Sequence, residues 1–246
     1  MKAAIAMLAM ALLAAGEAAA HGRLADLSVY DRTEGRRLAV HWHEGRAYVV
    51  GKPGNEYQVT VRNRSREDIL AVVSVDGVNV VSGETAHAAQ TGYVLSAHQS
   101  YDILGWRKSL AETAAFYFTA LPDSYAARTG RPDNVGVIGV ALFRRKPEPQ
   151  GVAPVAPQAR RDAASDAASG PRAAEQAARL GTGHGRREAS HAQHVAFERA
   201  TPAPVETLAL YYDSHANLVA RGVIRESIPV APLPRPFPGF VPDPRG

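Results

Sequence analysis

Between Glu56 and Gly77 the chain shows two hydrophobic patterns in succession, and together they leave little choice of fold class. Glu56-Tyr57-Gln58-Val59-Thr60-Val61-Arg62 alternates polar and apolar side chains, the period of two that lets a strand bury one face and wet the other. Asn63 to Asp68 reads as a polar turn. Ile69 to Val75 is then nearly continuous apolar, as in a strand covered on both faces. Asp76-Gly77 between valine-rich arms is a strong hairpin signal, because a type I′ turn needs two residues that tolerate positive φ. Further strands are expected at Leu27–Asp31, Leu38–Trp42, Ala47–Val50, Gly92–Leu95, Ser100–Leu104, Ala115–Thr119 and Val135–Phe143. Trp106–Thr113 reads as a helical turn or two. Short strands with turns every few residues point to an all-β fold over residues 24–145. An Ig-like or jelly-roll-type antiparallel β-sandwich is expected, with a barrel as second choice.

The remaining chain differs in texture. Residues 146–204 are dominated by Ala, Arg, Pro and Gln. They supply too little large apolar area to offset an ordering cost of roughly 1–2 kcal/mol per backbone residue. A low-complexity, mostly disordered linker is expected there, with a marginal helix at Arg172–Leu180 that Gly181 would stop. Within residues 205–228, Thr207–Tyr212 and Leu218–Ile224 flank a polar turn and read as a C-terminal β-hairpin. A lone hairpin is marginal in water, so it should dock on the edge of the first sheet. Residues 229–246 form a proline-rich tail suited to an extended polyproline II chain.

The start of the chain carries an address. Lys2, an apolar run from Ala3 to Ala15 and the small residues Ala18-Ala19-Ala20 form the pattern of a signal peptide over residues 1–20, cut after Ala20. The run is too short for a bilayer, which needs about 20 apolar residues. A periplasmic or secreted location follows as the expectation. With no cysteine, the domain must rest on its apolar core, without disulfides or thiolate metal sites. The net charge of +4 is spread thinly along the chain, unlike the concentrated basic face of a nucleic-acid binder.

Val72-Val73-Ser74-Val75-Asp76-Gly77-Val78-Asn79-Val80, Gly92-Tyr93-Val94, Gly105-Trp106-Arg107-Lys108-Ser109, Ala114-Ala115-Phe116-Tyr117-Phe118 and Asp133-Asn134-Val135-Gly136-Val137-Ile138-Gly139-Val140-Ala141 resemble motifs of a family of secreted proteobacterial β-rich proteins. The resemblance spans about residues 27–145 and, more weakly, Leu210–Gly222. It implies a bacterial exported β domain and brings no functional residues with it.

Candidate sites come from residue chemistry. If the leader is cut after Ala20, the amino group and imidazole of His21 can chelate copper together. His41 and His43, two apart on a strand, share a face that suits copper or zinc. Glu44 is adjacent, but on the opposite face. His184, His191 and His194 form a second group within the expected linker. Ser100, Asp102 and His98 share one strand face, yet no nucleophile elbow accompanies them. Glu112, Asp123 and Asp133 are carboxylates that nothing in the sequence brings together. For recognition, Trp106, Arg107 and Lys108 stand out, joined by Tyr125, Arg128 and Arg131 in a long polar loop, since Trp, Tyr and Arg dominate interface hot spots. Against this stands the favoured structural account, in which Trp106 plugs the end of the core while Arg107 and Lys108 are solvated. The leading expectation is an exported binding module for an envelope protein or small ligand, without cofactor, its tail seated in a partner's aromatic groove. The alternative is a periplasmic copper- or zinc-binding protein using His21 with His41 and His43. An enzyme acting on envelope glycans comes third.

Overall fold

The computed structural model describes residues 19–147 and 179–225. Two β-sheets face each other across one core, and they do not close into a barrel. The first sheet holds β1 (Ala20–His21), β2 (Ala25–Asp31), β3 (Arg36–Arg37), β6 (Glu56–Asn63), β10 (Ser100–Ile103), β11 (Gly105–Arg107), β12 (Glu112–Ala120) and β14 (Leu180–Ala189). The second holds β4 (His41–His43), β5 (Arg46–Val50), β7 (Ile69–Val75), β8 (Val78–Asn79), β9 (Tyr93–Leu95), β13 (Val137–Arg144) and β15 (Glu206–Asp213). Its central order is β4-β5-β15-β13-β7, and β5–β15 is parallel. Two short α-helices, α1 (Tyr125–Arg128) and α2 (His215–Ala220), cap the layers.

The alternating strand at Glu56 and the apolar strand at Ile69 behave as their patterns require. In β6, Tyr57, Val59 and Val61 are buried while Arg62 is exposed. In β7, six of the seven residues are buried, because the second sheet is covered on its outer face as well. There Leu70, Val72 and Phe143 pack under Phe197, and Tyr48 packs under Leu218 of α2. Asp76 and Gly77 have φ of 53° and 72° and join β7 to β8 as the tight turn expected. Gly77 is needed twice over, since a Cβ there would also sit 2.7 Å from Asn134 Cβ.

Between the sheets runs a chain of buried hydroxyls ending on a carboxylate. Tyr57 Oη and Thr182 Oγ1 are 2.6 Å apart, and Thr182 Oγ1 and Tyr212 Oη are 2.6 Å apart. Tyr212 donates to Asp76 Oδ1, as does the Gly136 amide, while the Thr182 amide donates to Oδ2. With Asp76 ionised, the three hydroxyl protons run in one direction, Tyr57 to Thr182 to Tyr212 to Asp76, and none is left over. Burial pushes the Asp76 carboxyl up to about 6, against the pull of these donors.

Several expectations are corrected. Residues 180–189, placed in a disordered linker, are the ten-residue strand β14 paired along β12. Residues 190–200 continue as an extended strap over the second sheet, where Arg199 lies 4.3 Å from the Phe143 ring centre. The expected hairpin of residues 205–228 is a strand followed by a helix. β15 inserts between β13 and β5, well inside the sheet, and Leu218 to Ala220 belong to α2. Ser214 caps that helix by accepting from the Asn217 amide. The helical turn expected at Trp106–Thr113 is the turn between β11 and β12. Leu38–Val40 lie between β3 and β4 without strand pairing. All but Ala19 and Ala20 of the expected leader over residues 1–20, nearly all of the expected helix at Arg172–Leu180 and the tail 229–246 lie outside the described residues.

Candidate functional site

Strand β11 puts consecutive residues on opposite faces, and two surfaces form on either side of it. Arg107 faces a groove; Trp106 faces the end of the core. Both surfaces are built from residues that the sequence marks, together with residues that it places in the linker.

The groove has a volume of about 380 Å³ and lies between β9, β10, the β11–β12 turn and the strap. Tyr93 and Tyr101 form its floor, their ring centres 4.9 Å apart. Arg107 donates to Tyr93 Oη at 3.2 Å and holds the strap through the carbonyl and hydroxyl of Ser190. The amides of Ser190 and Ala192 complete the wall by donating to Ala111 and Leu110 carbonyls, each at 2.8 Å. Leu110 and Val195 stand on the rim, 46% and 60% exposed. Besides these two, Trp42 alone among the described residues is an exposed large apolar side chain. His191 and His194, grouped above with His184 as possible metal ligands, line this groove, and His184 does not.

On the other side, Trp106 is only 2% exposed and plugs the core edge-on against Phe116. His184 lies parallel to the indole, at 6.2 Å and 8°, and Tyr125 of α1 leans on both rings. The indole Nε1 is buried with no hydrogen-bond partner among the described residues. Burial keeps the His184 imidazole below the usual histidine range, and nearby Lys108, Arg187 and Arg128 lower it further.

The six recognition candidates therefore divide. Lys108 and Arg128 are exposed and have no carboxylate partner among the described residues, and Tyr125 is half-buried beside them. Arg131 lies over the Tyr125 ring at 5.9 Å, but it donates to the Gly83 carbonyl and to Thr129. Arg107 and Arg131 thus hold structure together, and Trp106 is the plug. The half-buried His184 and the exposed Arg187 lie with Lys108, Arg128 and Tyr125. Only their types in a glycine-rich stretch were visible beforehand, since the pairing that lifts them onto the sheet is long-range.

The metal candidates are not brought together. His21 Nδ1 donates to Asp26 Oδ1 at 2.9 Å. It shares a cavity with Trp42, which alternates with His41 and His43 along β4. Among the described residues no group of three or more His, Cys, Asp or Glu is placed to hold a metal ion. Of the polar trio, Asp102 accepts from Thr60 at 2.7 Å, and His98 sits in a left-handed turn at φ 59° before β10. Glu112 pairs with Arg187 at 3.4 Å, while Asp133 lines a separate cavity beside Arg179 and Tyr212.

In comparisons with known proteins, no family model, no curated protein and no solved structure matches this chain.

Proposed function

We propose that this chain is exported under its N-terminal leader and acts outside the cytoplasm as a β-sandwich binding module, with its ligand in the groove. One observation carries the reading. Two of the three exposed large apolar side chains among the described residues, Leu110 and Val195, rim one concavity floored by two tyrosines. Its volume falls within the roughly 300–1,000 Å³ typical of small-ligand sites. A domain that buries nearly all its large apolar groups leaves such a rim exposed where something else covers it. The rings of Tyr93 and Tyr101 suit a ligand with flat apolar faces, and Arg107 keeps that floor and the strap in register.

The test is native mass spectrometry of untagged protein purified from the periplasm, with Nile red as a neutral probe of the groove. Retained ligand or stoichiometric dye uptake, lost in Leu110→Glu and Tyr101→Ala, is the expected result. Dye uptake that neither substitution changes would place the apolar site elsewhere. A mass that still includes residues 1–20 would remove the export reading.

A further inference from the structure

The surface on the far side of β11 has a different chemistry from the groove, and it stands without it. Lys108 comes from the β11–β12 turn, Arg128 from the end of α1 and Arg187 from β14. The Lys108 amide donates to the Glu112 carbonyl, the Glu112 carboxylate pairs with Arg187, and α1, which ends on Arg128, sets the Tyr125 ring 5.5 Å from that of His184. Among the described residues the carboxylate that engages this group is Glu112, on Arg187 at 3.4 Å. Three elements thus deliver cations to one corner with little to neutralise them, around an aromatic shelf made by Tyr125 and His184. Beneath the shelf lies an indole N–H that has no acceptor among the described residues.

We propose that this corner binds an acidic polysaccharide, one sugar ring lying on the Tyr125–His184 shelf and its carboxylate facing Lys108, Arg128 and Arg187. The charge decides that the ligand is an anion, because Lys108 and Arg128 are exposed with no carboxylate partner among the described residues, and such cations attract an anion over distances of a Debye length. The flat rings favour a saccharide over a lipid headgroup. A membrane-binding surface needs apolar side chains to enter the bilayer, and among the described residues the exposed large apolar side chains are Trp42, Leu110 and Val195, which line other cavities. The groups facing His184 are Lys108, Arg187, Arg128, Trp106 and Tyr125. An anion settling there opposes the three cations, so His184 should bind its proton more readily in the complex.

Polygalacturonate is the probe, with neutral dextran and phosphatidylglycerol vesicles alongside, all presented to the full chain. Polygalacturonate should bind and dextran should not, and a rise in salt should weaken the complex. Lys108→Glu with Arg128→Glu, both at exposed positions, should cost about tenfold or more in affinity without lowering the melting temperature. In proton–nitrogen spectra the Trp106 indole signal should move while that of Trp42 stays, and His184 should titrate at higher pH. No binding, binding equal in the charge-reversed variant, or vesicle binding as strong as polygalacturonate binding would each overturn the proposal. Tyr101→Ala, which tests the groove without adding a charge, should leave polygalacturonate binding intact, so the two sites can fail separately.

Discussion

Thr182 and His184 are two residues apart on β14 and face the same side of the sheet, opposite Phe118 and Phe116, yet their surroundings are unlike. The Thr182 side chain is fully buried, and its hydroxyl and amide both reach groups of the second sheet, Tyr212 and Asp76. His184 meets α1 and β11 instead, stays half-buried, and has cations for neighbours. Where the second sheet answers β14, donors and acceptors match and the seam closes. Where it does not, the strand's polar groups face solvent, and chemistry becomes available to a ligand. A buried polar network that is fully satisfied specifies structure; an unsatisfied one at a surface can serve recognition.

The sharpest way to break this contrast is to open the closed side. Asp76→Ala strands the amides of Thr182 and Gly136 and the Tyr212 hydroxyl at once. Each unmade buried bond costs about 1–3 kcal/mol, so urea denaturation should show a loss of about 3–5 kcal/mol, among the largest single-site effects expected. Tyr57→Phe removes only the first donor in the relay and should cost about 1 kcal/mol. Equal losses from the two changes would mean that the relay is not directional.

Proton linkage gives the second test. The folded-state pKa of Asp76, about 6, lies above its ordinary 3.8, so the native protein holds more protons than the unfolded chain between those values. The contribution of Asp76 to stability therefore grows as pH falls from about 6 towards 3.8 and is lost as pH rises through 6. His184 has the opposite sign: its lowered pKa means that the unfolded chain binds the proton more readily, and stability declines as pH drops below the usual histidine range. Denaturation of wild type and Asp76→Asn from pH 4 to 7 should show their stability difference changing by a few kcal/mol at most. A difference that stays constant over that range would show that Asp76 titrates as an ordinary surface carboxylate.

Local pattern carried the β architecture and failed where pairing is long-range. β6, β7 and the Asp76-Gly77 turn were legible because period and turn chemistry are local. β14 was hidden because Gly181, Gly183 and Gly185 lower strand propensity. Its partner supplies what it lacks: the Tyr117 ring lies across Gly183, 2.1 Å from where a Cβ would be. α2 was misread because Leu218-Val219-Ala220 suits either state, and the cap on Ser214 decided it. At the site, Trp106, Lys108, Tyr125 and Arg128 were visible by residue type. That they converge on His184 was not, since His184 reaches them only through the β12–β14 register.

The smallest expected effect is on the open side. Lys108→Gln and Arg128→Gln remove exposed charges that have no carboxylate partner among the described residues, so stability should stay within about 0.5 kcal/mol of wild type. Their signature is electrostatic. Each cation lowers the proton affinity of His184, but burial is the larger cause. Neutralising both should therefore raise the His184 pKa without returning it to the usual histidine range, as followed through the imidazole carbon-bound protons. A full return would mean that charge rather than burial governs the ring. No rise would mean that the two side chains point away from it, and the corner would then hold no convergent cations to offer an anion.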